Sequence, residues 1–181
     1  MKPSVLLLPG WQNSGPEHWQ SRWEQLHGYR RVEQHDWMRP LRGDWISRLE
    51  DELLLCQEPA VLVAHSLGCI QVAAWAGHSR NLNLVCAAFL VAPGDPERAD
   101  MRGLVPSWSP IPMAPLPFPS MLLTSRNDPY CALERAQTMA RAWGSTPVDC
   151  AERGHINSES GLGDWPEGHE MLLKLIRDRG P

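Results

Sequence analysis

The chain has 181 residues, 43% of them hydrophobic, with 21 acidic against 17 basic side chains and a formal net charge of -4. That length suits one domain around a single core, and the acidic balance leaves no basic footprint for nucleic acid. No apolar run approaches the roughly 20 residues that cross a bilayer, and the N-terminus lacks the charged region, long apolar stretch and cleavage site of a signal peptide. A cytoplasmic protein without a membrane partner is expected.

Ser4 to Leu8 is a continuous apolar run, as in a parallel strand covered on both faces. Pro9-Gly10-Trp11 and a polar loop follow, and Pro16 is placed to open a helix. Trp19, Trp23 and Leu26 then share one helical face, which Gly28 ends. Arg31 to His35 reads as a second strand. Met38 to Gly43 is a loop, and Asp44 is placed to cap a helix with Trp45, Ile46, Leu49, Leu53 and Cys56 on one face. Pro59 stops that helix before the strand Ala60 to Ala64.

After Ser66, the positions Ile70, Ala73, Ala74 and Gly77 form a small-residue face suited to close packing over a sheet. Leu84 to Val91 is another buried strand. The stretch 93–119 holds eight of the seventeen prolines. Its Trp108, Ile111, Met113, Leu116 and Phe118 are too apolar for a linker, so it is read as an ordered loop. It either walls a substrate pocket, with Trp108 and Met113 as candidates beside Gln12, or merely covers the sheet. Ser120 to Thr124 is the fifth strand. Leu133, Ala136, Met139, Ala140 and Trp143 mark a helix, Thr146 to Ala151 a sixth strand, and a last helix starts near Trp165.

Strands alternating with helices predict a doubly wound α/β sheet of about six parallel strands, with helices on both faces. No repeat or second domain is visible. Five cysteines (Cys56, Cys69, Cys86, Cys131 and Cys150) include no C-x-x-C pair and read as reduced thiols. Nine tryptophans against two tyrosines and two phenylalanines are expected mainly to anchor helices, with one or two left for a pocket.

The chemistry centres on Ala64-His65-Ser66-Leu67-Gly68. A strand that ends in a serine between small residues and runs straight into a helix is a nucleophile elbow. Ala64 stands where G-x-S-x-G has glycine. Alone, Ser66 reads equally well as a helix cap. Its partners must follow in the order acid, then histidine, at the carboxyl ends of later strands, where ligands of such sheets bind.

Asp128 and His155 do so, 62 and 27 residues further on in turn. His155 is the candidate base that takes the Ser66 proton, and Asp128 the acid that orients it. Asp95 is the best rival acid; Asp149 lies in a strand and Asp164 follows the histidine. The backbone N–H groups of Leu67 and Trp11 are the candidate oxyanion donors, with Gln12 the alternative to Trp11. His18, His35, His65, His78 and His169 lack paired metal-ligand spacing and read as structural or surface residues. Cys69 and Cys131 have no assigned base. No metal or cofactor is expected.

The chain also resembles the retinoblastoma-binding-protein-9-like (YdeN-like) serine hydrolases of the α/β-hydrolase superfamily. The likeness is carried by Leu8-Pro9-Gly10-Trp11, Ser14-Gly15-Pro16-Glu17-His18-Trp19, Trp37-Met38-Arg39-Pro40 with Asp44-Trp45, the elbow, Asn127-Asp128-Pro129 and Gly154-His155-Ile156-Asn157. It implies a compact α/β-hydrolase core without a large cap domain, and supports Ser66, Asp128 and His155 as nucleophile, acid and base.

The expected activity is hydrolysis of a small ester, thioester or amide through an acyl-enzyme, carboxylesterase-like in the first instance. A peptidase using the same triad is the alternative enzyme. A weakly catalytic protein-binding module on the same fold is the alternative from another class. A monomer or weak dimer is expected, with a small acyl substrate as its partner.

Overall fold

The computed structural model describes residues 3–178. Six strands form one parallel sheet: β1 Val5–Leu8, β2 Arg30–Arg31, β3 Ala60–Ser66, β4 Val85–Pro93, β5 Ser120–Thr124 and β6 Thr146–Asp149. Their order is β2-β1-β3-β4-β5-β6, with every neighbouring pair parallel. Among the described residues five α-helices accompany it: α1 Trp19–His27, α2 Arg42–Leu54, α3 Leu67–Ala76, α4 Leu133–Trp143 and α5 Pro166–Asp178. This is the expected α/β-hydrolase architecture.

Alternation along the strands divides the interior into two layers. Leu6, Leu8, Leu62, Ala64, Leu90 and Leu122 meet α2, α3 and α4 on one face. Val5, Leu7, Val61, Val63, Phe89 and Leu123 meet α1 and α5 on the other. The central strand is covered on both sides, which is why Ala60 to Ala64 has no polar residue and no exposed one. Six of the tryptophans, Trp19, Trp23, Trp45, Trp75, Trp108 and Trp143, are fully buried between sheet and helices. Each large ring removes on the order of 150–250 Å² from water, so these positions dominate the core.

Several element ends differ from the sequence reading. Pro16 lies in a turn, and α1 starts at Trp19, where the Nδ1 of His18 caps it by accepting the Gln20 N–H. Leu26 is exposed although it shares the spacing of Trp19 and Trp23. The second strand is the pair Arg30–Arg31; one further bond, from Val32 N–H to Leu7 O, ends its contact with β1.

Helix α2 opens at Arg42, so Asp44 falls in its first turn rather than at the cap. A carboxylate there favours the helix dipole, and the leading N–H of Arg42 is satisfied by Ser107 Oγ at 3.1 Å. The sixth strand stops at Asp149, where Asp149 Oδ1 accepts the Ala151 N–H and turns the chain. Gly28 does end α1, with φ 67°.

The strand order reverses between β1 and β3. Helix α1 leaves β1 over one face, whereas α2 returns over the other. A crevice forms at such a switch point beyond the carboxyl ends of the strands. The loop after β1 and the turn after β3 meet there.

Candidate active site

Ser66 ends β3 with φ 55° and ψ -120°, a backbone conformation that side-chain-bearing residues rarely adopt. It makes no side-chain capping bond to α3, so its hydroxyl is not spent on the helix. The turn tolerates only small neighbours. A Cβ on Gly68 would lie 2.3 Å from the Leu8 backbone oxygen, and one on Gly10 would lie 2.8 Å from Ser66 Cβ. Ala64 fits because its methyl packs in the interior, where it pairs with Leu8 and Leu90.

The hydroxyl of Ser66 lies 2.8 Å from His155 Nε2. On the far side of the ring, Nδ1 lies 3.0 and 2.9 Å from the two carboxylate oxygens of Asp128. A carboxylate only accepts, so Nδ1 carries the proton and Nε2 is free to accept from the serine. Both side chains are nearly buried, at 8% and 4% exposure.

Asp128 is held in turn by the Tyr130 N–H on its Oδ1 at 2.8 Å. The acid and histidine loops are laced together: Asn127 Oδ1 accepts the Gly154 N–H at 2.8 Å, and Ser125 Oγ accepts the Arg153 N–H at 2.9 Å. The rival acids are occupied elsewhere. Asp95 faces Arg135, Asp149 pairs with Arg126, and Asp164 pairs with Arg22.

Two histidines that read as structural or surface residues in the sequence belong to this centre. The ring of His65 lies 4.8 Å from that of His155, and the ring of His18 lies 4.7 Å from that of His65. Burial, followed by the neighbouring His155 and Arg31, lowers the His18 pKa to about 3. Burial, followed by His18 and His155, holds His65 well below the usual histidine range. Both rings are therefore neutral near pH 7. The buried thiols of Cys69 and Cys131 are pushed upward, mainly by burial, and Cys131 reaches about 12. Neither is a thiolate at neutral pH.

A cavity of about 320 Å³ opens over Ser66. Trp11, Gln12 and Asn13 line it from the loop after β1, and Pro96, Met101 and Val105 from the Pro-rich loop. Trp108 and Met113 are not part of this wall. Trp108 turns inward, where its indole N–H reaches Pro40 O at 2.9 Å and its ring meets Trp45 edge-on. Met113 packs against the same interior layer. Among the described residues no group of three or more His, Cys, Asp or Glu is placed to hold a metal ion. Cys56, Cys69, Cys131 and Cys150 are free thiols, and no described helix is long and apolar enough to cross a membrane.

A family model described as serine hydrolase matches residues 5–174. The chain belongs to the serine hydrolase family. Among solved structures it is similar to a YdeN-like hydrolase from Pectobacterium atrosepticum, at 31% identity over 99% of this chain and 94% of that one, with a TM-score of 0.87. The ydeN gene product of B. subtilis matches at 17% identity over 97% of this chain and 100% of its own, with a TM-score of 0.78. Est1E from Butyrivibrio proteoclasticus, in its form with ferulic acid bound, has 12% identity over 97% of this chain and 90% of its own, with a TM-score of 0.71. The last two likenesses are of fold. No protein with a curated description matches. The YdeN-like resemblance read from the sequence is thus confirmed.

Proposed function

We propose that this serine hydrolase cleaves a small carboxylic ester, thioester or amide through an acyl-enzyme on Ser66, with esters the preferred class. The observation that carries the reading is the His155 ring, which spans Ser66 Oγ at 2.8 Å and an Asp128 oxygen at 2.9 Å.

In the first half-reaction Ser66 Oγ bonds to the acyl carbon while its proton passes to His155 Nε2. Asp128 stabilises the imidazolium so formed. The oxyanion that develops is met by the N–H of Leu67 and that of Trp11. Gln12 is the weaker candidate for this role, because its N–H already donates to Trp37 O at 3.0 Å. The imidazolium then protonates the departing oxygen as its bond to the acyl carbon breaks. Water, activated by the same histidine, returns the acid product and free Ser66. Esters are favoured over amides because an ester carbonyl is less stabilised by resonance, so that addition of Ser66 Oγ to it costs less.

With p-nitrophenyl butyrate, the reading predicts enzyme-dependent hydrolysis that falls at least about a thousandfold in Ser66→Ala. Equal rates in wild type and variant would exclude Ser66 as the nucleophile.

A further inference from the structure

Three residues on the cavity wall have each committed a hydrogen-bond acceptor to the protein and kept a donor. Asn13 Oδ1 accepts the Ser14 N–H at 2.8 Å and Arg31 Nη1 at 2.6 Å. Asn157 Oδ1 accepts the Glu159 N–H at 3.0 Å, as the cap of the short 3-10 helix Ser158–Ser160. His18 Nδ1 accepts the Gln20 N–H at 3.1 Å, as the cap of α1. What each has left over is an N–H group: two amide NH₂ groups and the Nε2–H of a neutral imidazole.

Among the described residues no acceptor is bonded to either NH₂ group, and His18 Nε2 is a buried atom without a partner on a side chain only 4% exposed. Buried donors are almost always paired, with protein or with something held by it. Of the three only the His18 Nε2–H is a buried donor, and its partner has to come from the cavity; the NH₂ groups of exposed Asn13 and half-buried Asn157 line the same space.

Charge narrows what that partner is. No lysine or arginine lines the cavity, whereas Asp95 does. Arg31, behind Asn13, is already paired with Glu24 at 2.8 Å. The imidazole of His18, lowered to about 3 mainly by burial, adds no positive charge near neutral pH. An anionic group finds no counter-charge here, and a purely alkyl group leaves the donors unmet.

Resting on the serine hydrolase reading above, we propose that the substrate carries an uncharged hydrogen-bond acceptor close to the scissile carbonyl, and that His18 and Asn157 select for it. The acceptor is an ether, hydroxyl or carbonyl oxygen. The two residues contact the bound group and take no part in moving the proton.

Esters that differ only by an oxygen in place of a methylene test this. One pair is p-nitrophenyl methoxyacetate and butyrate; the other is 2-methoxyethyl and butyl acetate, which places the oxygen on the leaving group. Rates are divided by those of hydroxide-catalysed hydrolysis, to remove intrinsic reactivity. Wild type is expected to favour the oxygen-bearing member of at least one pair by about tenfold or more in kcat/KM, because a site built to donate rejects the analogue that lacks the acceptor.

His18→Asp keeps a capping acceptor for α1 and has no N–H to donate, and the preference should shrink to about threefold or less. Asn157→Asp keeps its cap and replaces the NH₂ donor by an acceptor, and should do the same even if the first variant fails to fold. No preference in either pair, or a preference untouched in the folded variants, overturns the proposal. If folded wild type hydrolyses none of the four esters and takes up no fluorophosphonate, the hydrolase reading has failed and the proposal falls with it.

Discussion

His65 Nε2 donates a hydrogen bond to the backbone oxygen of His155 at 2.8 Å. The residue immediately before Ser66 thus holds the loop that carries His155. Because a carbonyl only accepts, the Nε2 of neutral His65 bears the proton. The bond crosses from β3 to a loop 90 positions away, and it fixes the height of the His155 ring over Ser66.

His65→Phe keeps an aromatic ring but leaves that carbonyl unpaired. Stability should fall by about 1–3 kcal/mol, and kcat for p-nitrophenyl butyrate by about tenfold or more, with KM little changed. Steady-state kinetics and urea unfolding measure both. His65→Gln, which restores an N–H donor, should recover part of kcat. A variant with lower stability but unaltered kcat would reduce His65 to a packing role.

The elbow itself makes a sharper prediction. An added methyl at Gly68 meets backbone, 2.3 Å from Leu8 O, and backbone of a central strand cannot step aside. Gly68→Ala should cost about 3 kcal/mol or prevent folding, read as a lowered urea midpoint. An unchanged midpoint would mean that β1 and the turn after β3 are less closely packed than the structure has them.

Much of this centre was legible because its signals are local. Apolar runs that end in Pro-Gly marked β1 and β4, and one that ends in a serine between Ala64 and Gly68 marked β3 and the turn after it. Asp128 and His155 followed from their places after later strands. The second strand was harder: two arginines at a sheet edge carry no apolar pattern, and the buried residues, Tyr29 and Val32, only flank them. Composition singled out Trp108 and Met113 within the Pro-rich loop, but could not say which side of the loop faces the core. Met101 and Val105 took the cavity side instead.

The two neutral histidines read only as structural or surface residues because a lone histidine has no period. A signal existed for His65. Val61 and Val63 pack on the α1 and α5 face, so the alternation of β3 sends His65 to that side, toward the loop that leads into α5.

Acid should unfold the protein through the same pair. Folded His18 is neutral down to about pH 3, and His65 is likewise lowered, whereas both take up protons below about 6.5 once unfolded. The unfolded state then binds more protons, so stability falls as pH drops below about 6.5. Each histidine contributes a slope approaching 1.4 kcal/mol per pH unit. Urea midpoints measured between pH 7 and 5, above the carboxylate range, should fall with decreasing pH. His18→Asn should remove about half of that dependence. A flat profile in wild type would show that the two rings are hydrated.

The most direct measurement is intact-mass analysis after exposure to a fluorophosphonate at pH 7.5, with Ser66→Ala and His155→Ala as controls. The account predicts a single adduct on wild type, mapped to Ser66, with none on Ser66→Ala and labelling slowed at least about a hundredfold in His155→Ala. A folded wild type that takes up no label, or labels equally fast without His155, would contradict the claim that Ser66 is a nucleophile activated by that histidine.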